Sequence, residues 1–366
     1  MLLRLILLSC LAVNALPSSS QLESASQQTR EKCEQYLQIP LPAEANSVSA
    51  PKVWPDCNSY KLYSGIGTLV DYAGARRCAW SERLAQQANL EPRYTVASVL
   101  GGSAMLAVLY ANGNGVTRDL AMAQKFACEA EGAPAEISGR LEHLDSLDRE
   151  GASGGRFTFC DDITSGFMEG FCSAYSSELR DQRRAAALHD MRSHFTPNQR
   201  SAFDRVLTAE AAYAEAHGRG EVDQSGTARA MFEIDAEDSV KDDFLEALQS
   251  FETGKLPASS PEDYAVADRN LNATYRAIMS KADESKNGYG AVQPDGIRDA
   301  ERAWLRYRDA WIAFAKLRYP AVPAEAWLSL LTKDRTSVLD GSFCAMDAVE
   351  GRCAQRGDTW KPSPLP

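Results

Sequence analysis

The side chains that could perform chemistry in this sequence are its histidines, cysteines, a serine near a lysine, and clustered acids. There are four histidines, and a zinc site built from His189, His194 and His217 would need i, i+5 spacing, which splays metal ligands around a helix. The fourth, His143, stands apart, C-x-x-C does not occur, and no histidine lies near a cysteine pair. We therefore expect solvated helix histidines and neither a metal nor a cofactor.

A nucleophile is equally hard to find. Ser49-Ala50-Pro51-Lys52 satisfies S-x-x-K, but it lies in a proline-rich stretch with no helix to aim the lysine. Neither G-x-S-x-G nor a phosphate-binding P-loop occurs. The enzymatic alternative is a carboxylate pair that cleaves peptidoglycan, yet nothing in the sequence places two carboxylates in one cleft. The prediction is a protein that is not an enzyme.

Acidic residues are densest shortly after Phe232. The net charge of the chain is −11, and residues 161–260 hold 10 basic against 19 acidic residues, which excludes a nucleic-acid partner because phosphate binding needs a basic surface. The stretch lacks the glycine and the spacing of an EF-hand. It is predicted to be a solvated helix face, and the alternative is a docking face for a basic protein. Its members are Glu233, Asp235, Glu237, Asp238, Asp242, Asp243 and Glu246.

The first 15 residues have the pattern of a secretory signal peptide. Arg4 precedes an apolar run over 5–13, and Val13-Asn14-Ala15 is a relaxed A-x-A-like cleavage site. The run is too short to span a bilayer, and no later segment is long and uncharged enough to do so. A periplasmic or secreted protein is expected, and the minority alternative is a lipid anchor at Cys10.

Cleavage would leave an even number of cysteines, which in an exported chain predicts disulfides. Short loops favour the pairs Cys160–Cys172 and Cys344–Cys353. The pairing of the others stays open; these are Cys33, Cys57, Cys78 and Cys128.

An internal repeat with a period of 48 follows an extended leader predicted over residues 16–55 and pinned by Cys33. Each copy combines glycines that end a helix, an aspartate that caps the next one, and alanines that allow close packing. Gly65, Gly67, Asp71, Ala75 and Ala79 recur as Gly113, Gly115, Asp119, Ala123 and Ala127. The pattern resembles the Sel-one-like repeat, a relative of the tetratricopeptide repeat, and the resemblance implies a short α-solenoid over 56–150 that binds proteins.

The rest of the chain is predicted to be helical as well. A domain is expected over 156–255, with a helix start at Thr196-Pro197, and a second domain over 262–345 beyond a Pro/Ser-rich linker. At an offset of 98, four residues of the first domain match four of the second, so the first is a candidate degenerate copy; they are Arg200, Ala202, Leu207 and Tyr213 against Arg298, Ala300, Leu305 and Trp311. Residues 346–366 are predicted to form a disulfide-closed tail.

The last domain carries a recognisable motif. Its residues are Ala300, Arg302, Trp304, Tyr307, Arg308 and Asp309, followed by Leu331-Thr332-x-x-Arg335-Thr336-x-x-Leu339. This pattern resembles the LprI-type lysozyme-inhibitor domain. Members usually carry two cysteines where Ile312 and, approximately, Trp327 stand here, so an apolar contact is expected to replace a cross-link.

The family resemblance and the motif residues together set the expectations for the second half of the chain. Arg306 or Arg308 is predicted to pair with Asp309 or Glu301, and Arg335 with Asp309. The predicted fold is all-α: a short helical-repeat solenoid followed by helical bundles, stabilised by disulfides. The resemblance implies a protein partner, a basic lysozyme-like muramidase whose cleft is occluded. The alternative is a non-inhibitory scaffold that binds another envelope protein through the repeats.

Overall fold

The computed structural model describes residues 19–47, 57–90, 94–130, 132–150, 155–288 and 290–346. Over these residues the chain forms thirteen α-helices and no strand, which confirms the all-α prediction. The described residues divide into two compact units: the first takes those up to residue 63 and those within 71–164, and the second takes those within 64–70 and those from 165 onward.

The first unit contains seven of the helices and a short 3-10 helix. They are α1 (Ser19–Leu37), a 3-10 helix (Ala43–Ser47), α2 (Ser59–Ser64), α3 (Tyr72–Gln87), α4 (Val96–Leu100), α5 (Ser103–Asn112), α6 (Leu120–Glu129) and α7 (Pro134–Glu150).

Helix α1 corrects the prediction of an extended leader. No proline occurs between Pro17 and Pro40, and the residues of α1 in that interval pack as a helix against α6 and α7. Cys33 in α1 is bonded to Cys128 in α6, and Lys32 pairs with Asp145 at 3.2 Å. These long-range contacts order a segment whose composition alone suggests a linker.

The glycines and alanines of the 48-residue repeat have the conformations that the pattern predicts. All four glycines have φ between 66° and 71°, the left-handed region that side chains with a Cβ rarely enter. One pair follows α2 and the other follows α5, so each stops a helix. The four alanines are fully buried: Ala75, Ala79, Ala123 and Ala127.

The two repeat aspartates also occupy equivalent places. Asp71 caps α3 by accepting the N–H of Gly74 at 2.8 Å, and Asp119 caps α6 by accepting the N–H of Met122 at 2.9 Å. Each aspartate's own N–H donates to a carbonyl nine residues earlier, at 2.9 and 3.0 Å. The two helical hairpins therefore share one pattern of hydrogen bonds.

Disulfides staple the first unit. Cys33 is bonded to Cys128 and Cys57 to Cys78, each pair with its Cα atoms 5.4 Å apart. Elsewhere in the chain, Cys160 and Cys172 are each disulfide-bonded, and their pairing with each other stays a prediction. The predicted Cys344–Cys353 bond and the predicted tail lie outside the part of the chain whose side chains are described.

The second unit is built from six long helices. They are α8 (Gly166–Ser193), α9 (Pro197–Gly220), α10 (Arg229–Glu252), α11 (Pro261–Ser285), α12 (Pro294–Arg318) and α13 (Ala324–Met346). Thr196 begins α9 with a capping box to Gln199 and with proline at the first helical position, as predicted. Ser260 begins α11 in the same manner.

One shared core corrects the division into domains at 156–255 and 262–345. Phe203 of α9 and Phe244 of α10 pack in the same buried cluster as Trp311 and Phe314 of α12 and Trp327 of α13. Aromatic side chains bury large areas, and this cluster draws them from both predicted domains. Residues 253–260 are therefore a loop inside one unit and not a linker between two.

The six helices of this unit form two sets of three, and in each set the first helix packs on the third. Helix α8 packs on α10, α11 packs on α13, and the middle helices α9 and α12 pack against each other. They run antiparallel, since Gly220 meets Gly296 at one end while Gln199 donates to the carbonyl of Leu317 at 2.9 Å at the other. A duplicated three-helix element would produce this order, although the copy relation itself stays a prediction.

Candidate functional site

A buried ion-pair network centres on Arg335 of α13. Its guanidinium is fully buried and donates to both carboxylate oxygens of Glu221, at 2.6 and 2.8 Å. A third hydrogen bond, 3.0 Å long, reaches Glu301 of α12, and a fourth reaches the hydroxyl of Tyr213 at 3.2 Å. The planar guanidinium suits such two-point pairing, so Arg335 ties α13 to α9 and α12.

The electrostatics of the network keep both members of the main pair charged. Burial opposes ionisation of Glu221, but Arg335, together with His217, holds the pKa of that carboxyl below its usual value. Burial also opposes the charge of Arg335, yet its anionic partners keep its pKa well above the ordinary value. Glu301 is different, because burial outweighs Arg335 and raises the pKa of Glu301.

The predicted pair of Arg335 with Asp309 is wrong. Asp309 is an exposed residue of α12, and it accepts from its neighbour Arg308 at 2.8 Å. Glu221 lies at the end of α9, 114 residues before Arg335, so no local spacing indicated the contact. The arginine is positioned by the fold and not by its own sequence motif.

The apolar motif residues form the core of α12. Ala300, Trp304 and Trp311 are buried, and Tyr307 contacts both buried clusters of the unit. Arg308 lies over the ring of Trp304 at 5.5 Å, while Arg302 forms an exposed pair with Asp299. These motif residues stabilise the helix and its packing.

Ile312 and Trp327 lie in the same apolar cluster. Trp327 is almost fully buried, with its ring 4.9 Å from that of Phe251 and 6.0 Å from that of Trp311. Ile312 is partly buried against the cluster. Apolar packing thus surrounds both places where the family resemblance implies cysteines.

The acidic residues of α10 divide into three groups. Asp238 is buried, where it accepts from Arg180 and Arg184, and burial opposes its charge while these arginines hold the pKa of its carboxyl below the usual value. Asp242 also pairs with Arg184, at 2.6 Å. The other residues of the predicted face fall into the remaining two groups: Glu233 and Glu237 form surface ion pairs, and Asp235 and Asp243 are exposed.

Part of the predicted docking face is therefore structural. Asp238 and Asp242 both pair with Arg184, which is buried and also pairs with Asp181, so removing either would take away part of the charge that compensates a buried guanidinium. Asp243 remains available, because it forms no ion pair within the described part of the chain. A periodicity argument could not separate these roles, since the arginines lie in α8, more than fifty residues away.

Two histidines depart from the predicted solvated state. His217 is buried and its Nδ1 lies 2.8 Å from Glu221 Oε2, which adds it to the Arg335 network. His143 is partly buried, with Nδ1 3.2 Å from Asp162. His189 and His194 are exposed, as predicted. Both departures have one cause, an acidic partner: Glu221 at the end of the same helix for His217, and Asp162 in the turn before α8 for His143.

The described residues contain no group of three or more histidines, cysteines or acids that could hold a metal ion. Within those residues, no helix is long and apolar enough to cross a membrane. The signal peptide over 1–15, with Cys10, and the Ser49–Lys52 pattern lie outside them.

Besides Glu221, sequence reasoning missed two carboxylates of the second unit. Glu210 of α9 is buried, and its Oε1 has no hydrogen-bond partner among the described residues. Asp334 of α13 stands beside the motif arginine, and burial together with Asp243 raises its pKa to about 6. The available signal for Glu210 was its place on the apolar face of α9, four residues from both Val206 and Ala214.

Comparison with known proteins gives one match. Residues 250–339 match the family described as Lysozyme inhibitor LprI, and this range covers α11, α12 and most of α13. No curated protein and no solved structure matches the chain. The disulfides and the family match together indicate a protein that works outside the cytoplasm.

Proposed function

We propose that this chain is an exported inhibitor of a lysozyme-like muramidase, which it binds so as to occlude the substrate cleft. The observation that carries the proposal is the family match at residues 250–339, whose name describes inhibition of lysozyme. Inhibition by occlusion needs a rigid binding protein and no catalytic group. The aromatic core of α12 and α13 and the buried Arg335 network provide such rigidity.

Charge supports the choice of partner. The chain has a net charge of −11, and many muramidases are basic. Opposite charge speeds the encounter of two proteins and weakens wrong associations. A muramidase would therefore approach the acidic second unit faster than a neutral protein of the same size.

The test is a titration of the purified mature protein into muramidases of the c-type, of the g-type and from the producing organism itself. The expected result is loss of cell-wall lysis at a one-to-one ratio with at least one of them, with association slowing as salt is added. Full lytic activity of all three in the presence of excess protein would contradict the proposal.

Export by the signal peptide of residues 1–15 belongs to this proposal. The expected mature N-terminus is Leu16, measured by mass spectrometry of protein recovered from the envelope or the medium. A lipid-modified N-terminal Cys10 would instead support the anchored alternative.

A second candidate is a scaffold that binds another envelope protein through Sel-one-like hairpins. The observation that favours it is the capping and glycine geometry that the two hairpins share. Cross-linking in the envelope would then capture a partner through the first unit, and muramidase activity would be unaffected.

A further inference from the structure

Residues 38–47, which follow α1 in the chain, lie on the surface of the first unit. None of the side chains of residues 38–45 is buried, and Leu41 is 38% exposed. The segment contains Pro40 and Pro42 and ends in the short 3-10 helix. Because these side chains bury little apolar area, polar contacts must position the segment.

The carboxylate of Glu44 makes those contacts. Its Oε1 accepts a hydrogen bond from Trp80 Nε1 at 3.2 Å and another from the hydroxyl of Tyr110 at 2.7 Å. Its Oε2 lies 3.3 Å from Nε of Arg76. Donors from α3 and α5 therefore converge on one carboxylate, whose charge the guanidinium of Arg76 balances.

These donors belong to the packed part of the unit. Trp80 is 3% exposed and Tyr110 is 4% exposed, and both rings contact Phe126 of α6, at 5.3 and 5.7 Å. Arg76 also donates to the carbonyl of Gly115 in the turn between α5 and α6. The repeat helices thus form a carboxylate cradle, which consists of Arg76, Trp80 and Tyr110, and the surface segment fills it.

The chemistry of the carboxylate cradle calls for an anionic acceptor. Burial raises the pKa of Tyr110, and the hydrogen bond to Glu44 raises it further, so the phenol remains a donor. Buried N–H and O–H groups that lack an acceptor are costly. When Glu44 is elsewhere, a second carboxylate is the group that best suits two neutral donors and one guanidinium.

An open cleft of about 360 Å³ lies beside Glu44. It is lined by Pro42 and Tyr110 and by residues 116–119, which precede α6. Pockets that bind small ligands begin at about 300 Å³. The cleft therefore has room for side chains that residues 38–47 do not supply.

Disulfides tether the chain on both sides of this segment. Cys33 precedes it and is bonded to Cys128 in α6, and Cys57 follows it and is bonded to Cys78 in α3. These bonds keep Glu44 near the carboxylate cradle, so its effective concentration there is high although the segment buries little. A ligand held in this way competes with any peptide in solution.

We propose that the carboxylate cradle binds an acidic side chain on a peptide segment of a partner protein, and that residues 38–47 occupy it as an autoinhibitory internal ligand. The contacts of Glu44 define the ligand class, a glutamate or aspartate on a surface segment. This inference deepens the second candidate function, binding of a partner through the repeat hairpins, and it is independent of muramidase inhibition.

The probe is a fluorescent peptide of residues 38–47 with both ends blocked, so that Glu44 supplies its only carboxylate. Its binding to the full-length mature protein is measured by fluorescence polarisation. Glu44→Ala frees the carboxylate cradle and should bind the peptide at least tenfold more tightly than the unaltered protein does. The matched control is Glu34→Ala, which removes an exposed carboxylate of α1 and should leave the affinity unchanged.

Two further arms test whether the carboxylate itself is recognised. A peptide with glutamine in place of its glutamate should bind the Glu44→Ala protein at least tenfold more weakly. Adding Arg76→Gln to that protein should weaken binding of the original peptide by a similar factor. Equal binding of the two peptides would overturn the proposal, and so would equal affinity of the Glu44→Ala and unaltered proteins for the original peptide.

Circular dichroism shows whether each variant keeps its helices. Glu44→Gln retains an acceptor oxygen for Trp80 and Tyr110, so it replaces Glu44→Ala if the alanine variant unfolds, and it too should bind the peptide more tightly than the unaltered protein. Unfolding of both variants would mean that Glu44 is a structural part of the first unit, and the proposal would be wrong.

Muramidase inhibition by the same proteins is measured in parallel. Its absence in every protein would contradict the proposed function, while the peptide result would still decide the role of the carboxylate cradle. Inhibition without any peptide binding would leave the proposed function standing and exclude the cradle as a binding site.

Discussion

Arg335 of α13 and Glu221 at the end of α9 form a two-point ion pair, with Nη2 2.6 Å from Oε1 and Nη1 2.8 Å from Oε2. Both side chains are almost completely buried. Glu221 precedes residues 250–339, so the segment that matches the LprI family contains Arg335 but not the counter-charge of Arg335. The pair joins the matched segment to the helices before it.

Replacing Glu221→Gln should destabilise the protein by about 3 to 5 kcal/mol, because it removes the two-point counter-charge of a buried guanidinium and leaves only the single contact with Glu301. Urea unfolding followed by circular dichroism measures the change. Arg302→Gln, which breaks an exposed pair on α12, serves as the control and should have little effect. Equal midpoints for the two variants would show that the Arg335 pair carries no such role.

A fragment of residues 250–346 should fail to fold alone, whereas residues 165–346 should fold. The shorter fragment lacks Phe203 and Phe244 of the shared core as well as Glu221. Amide proton dispersion in NMR spectra separates a folded chain from an unfolded one. A dispersed spectrum from the shorter fragment would show that α11–α13 suffice for the core.

Glu210→Gln should stabilise the protein above neutral pH. Burial raises the pKa of Glu210 from 4.5 to about 7, although Lys241 and Arg184 partly oppose this. Protonation of Glu210 in the folded protein contributes to the free energy of unfolding. This contribution is fully present below pH 4.5 and is lost as the pH rises through about 7. Relative to the unaltered protein, the variant should therefore gain on the order of 2 kcal/mol at pH 8 and almost nothing at pH 4.5.

Urea unfolding at the two pH values measures this difference. Glu284→Gln, at an exposed site on α11, is the matched control. The difference in free energy of unfolding between this variant and the unaltered protein should be the same at pH 4.5 and at pH 8. A Glu210→Gln protein that is less stable at pH 8 would mean that the buried carboxylate already has a stabilising partner.

Removing the Cys33–Cys128 bond should cost more stability than removing the Cys57–Cys78 bond. The first closes a separation of 95 residues and the second one of 21. From the entropy of loop closure, the expected loss in the free energy of unfolding is about 4 to 5 kcal/mol for the long loop and about 3 kcal/mol for the short one. Unfolding of the paired serine variants measures both, and the reverse order would show that loop entropy does not dominate.

The sequence by itself determined the local features of this fold. Thr196 and Pro197 begin α9, Asp71 and Asp119 cap α3 and α6, and the repeat glycines stop helices with positive φ. These features follow from residues within a few positions of one another, so the residue types alone carry the information. The motif of α12 likewise contained enough local pattern to indicate the LprI-type domain.

The tertiary structure alone decided which residues share a core and which charges are paired. In the tertiary structure the two predicted domains of the second half share one core, and α1 packs as a helix against α6 and α7. Arg335 forms its ion pair with Glu221 and not with Asp309. The fold also divided the acids of α10 into those that pair with Arg184 and Asp243, which forms no ion pair with the described residues. Such contacts join residues fifty or more positions apart, where packing sets the distance and sequence spacing does not.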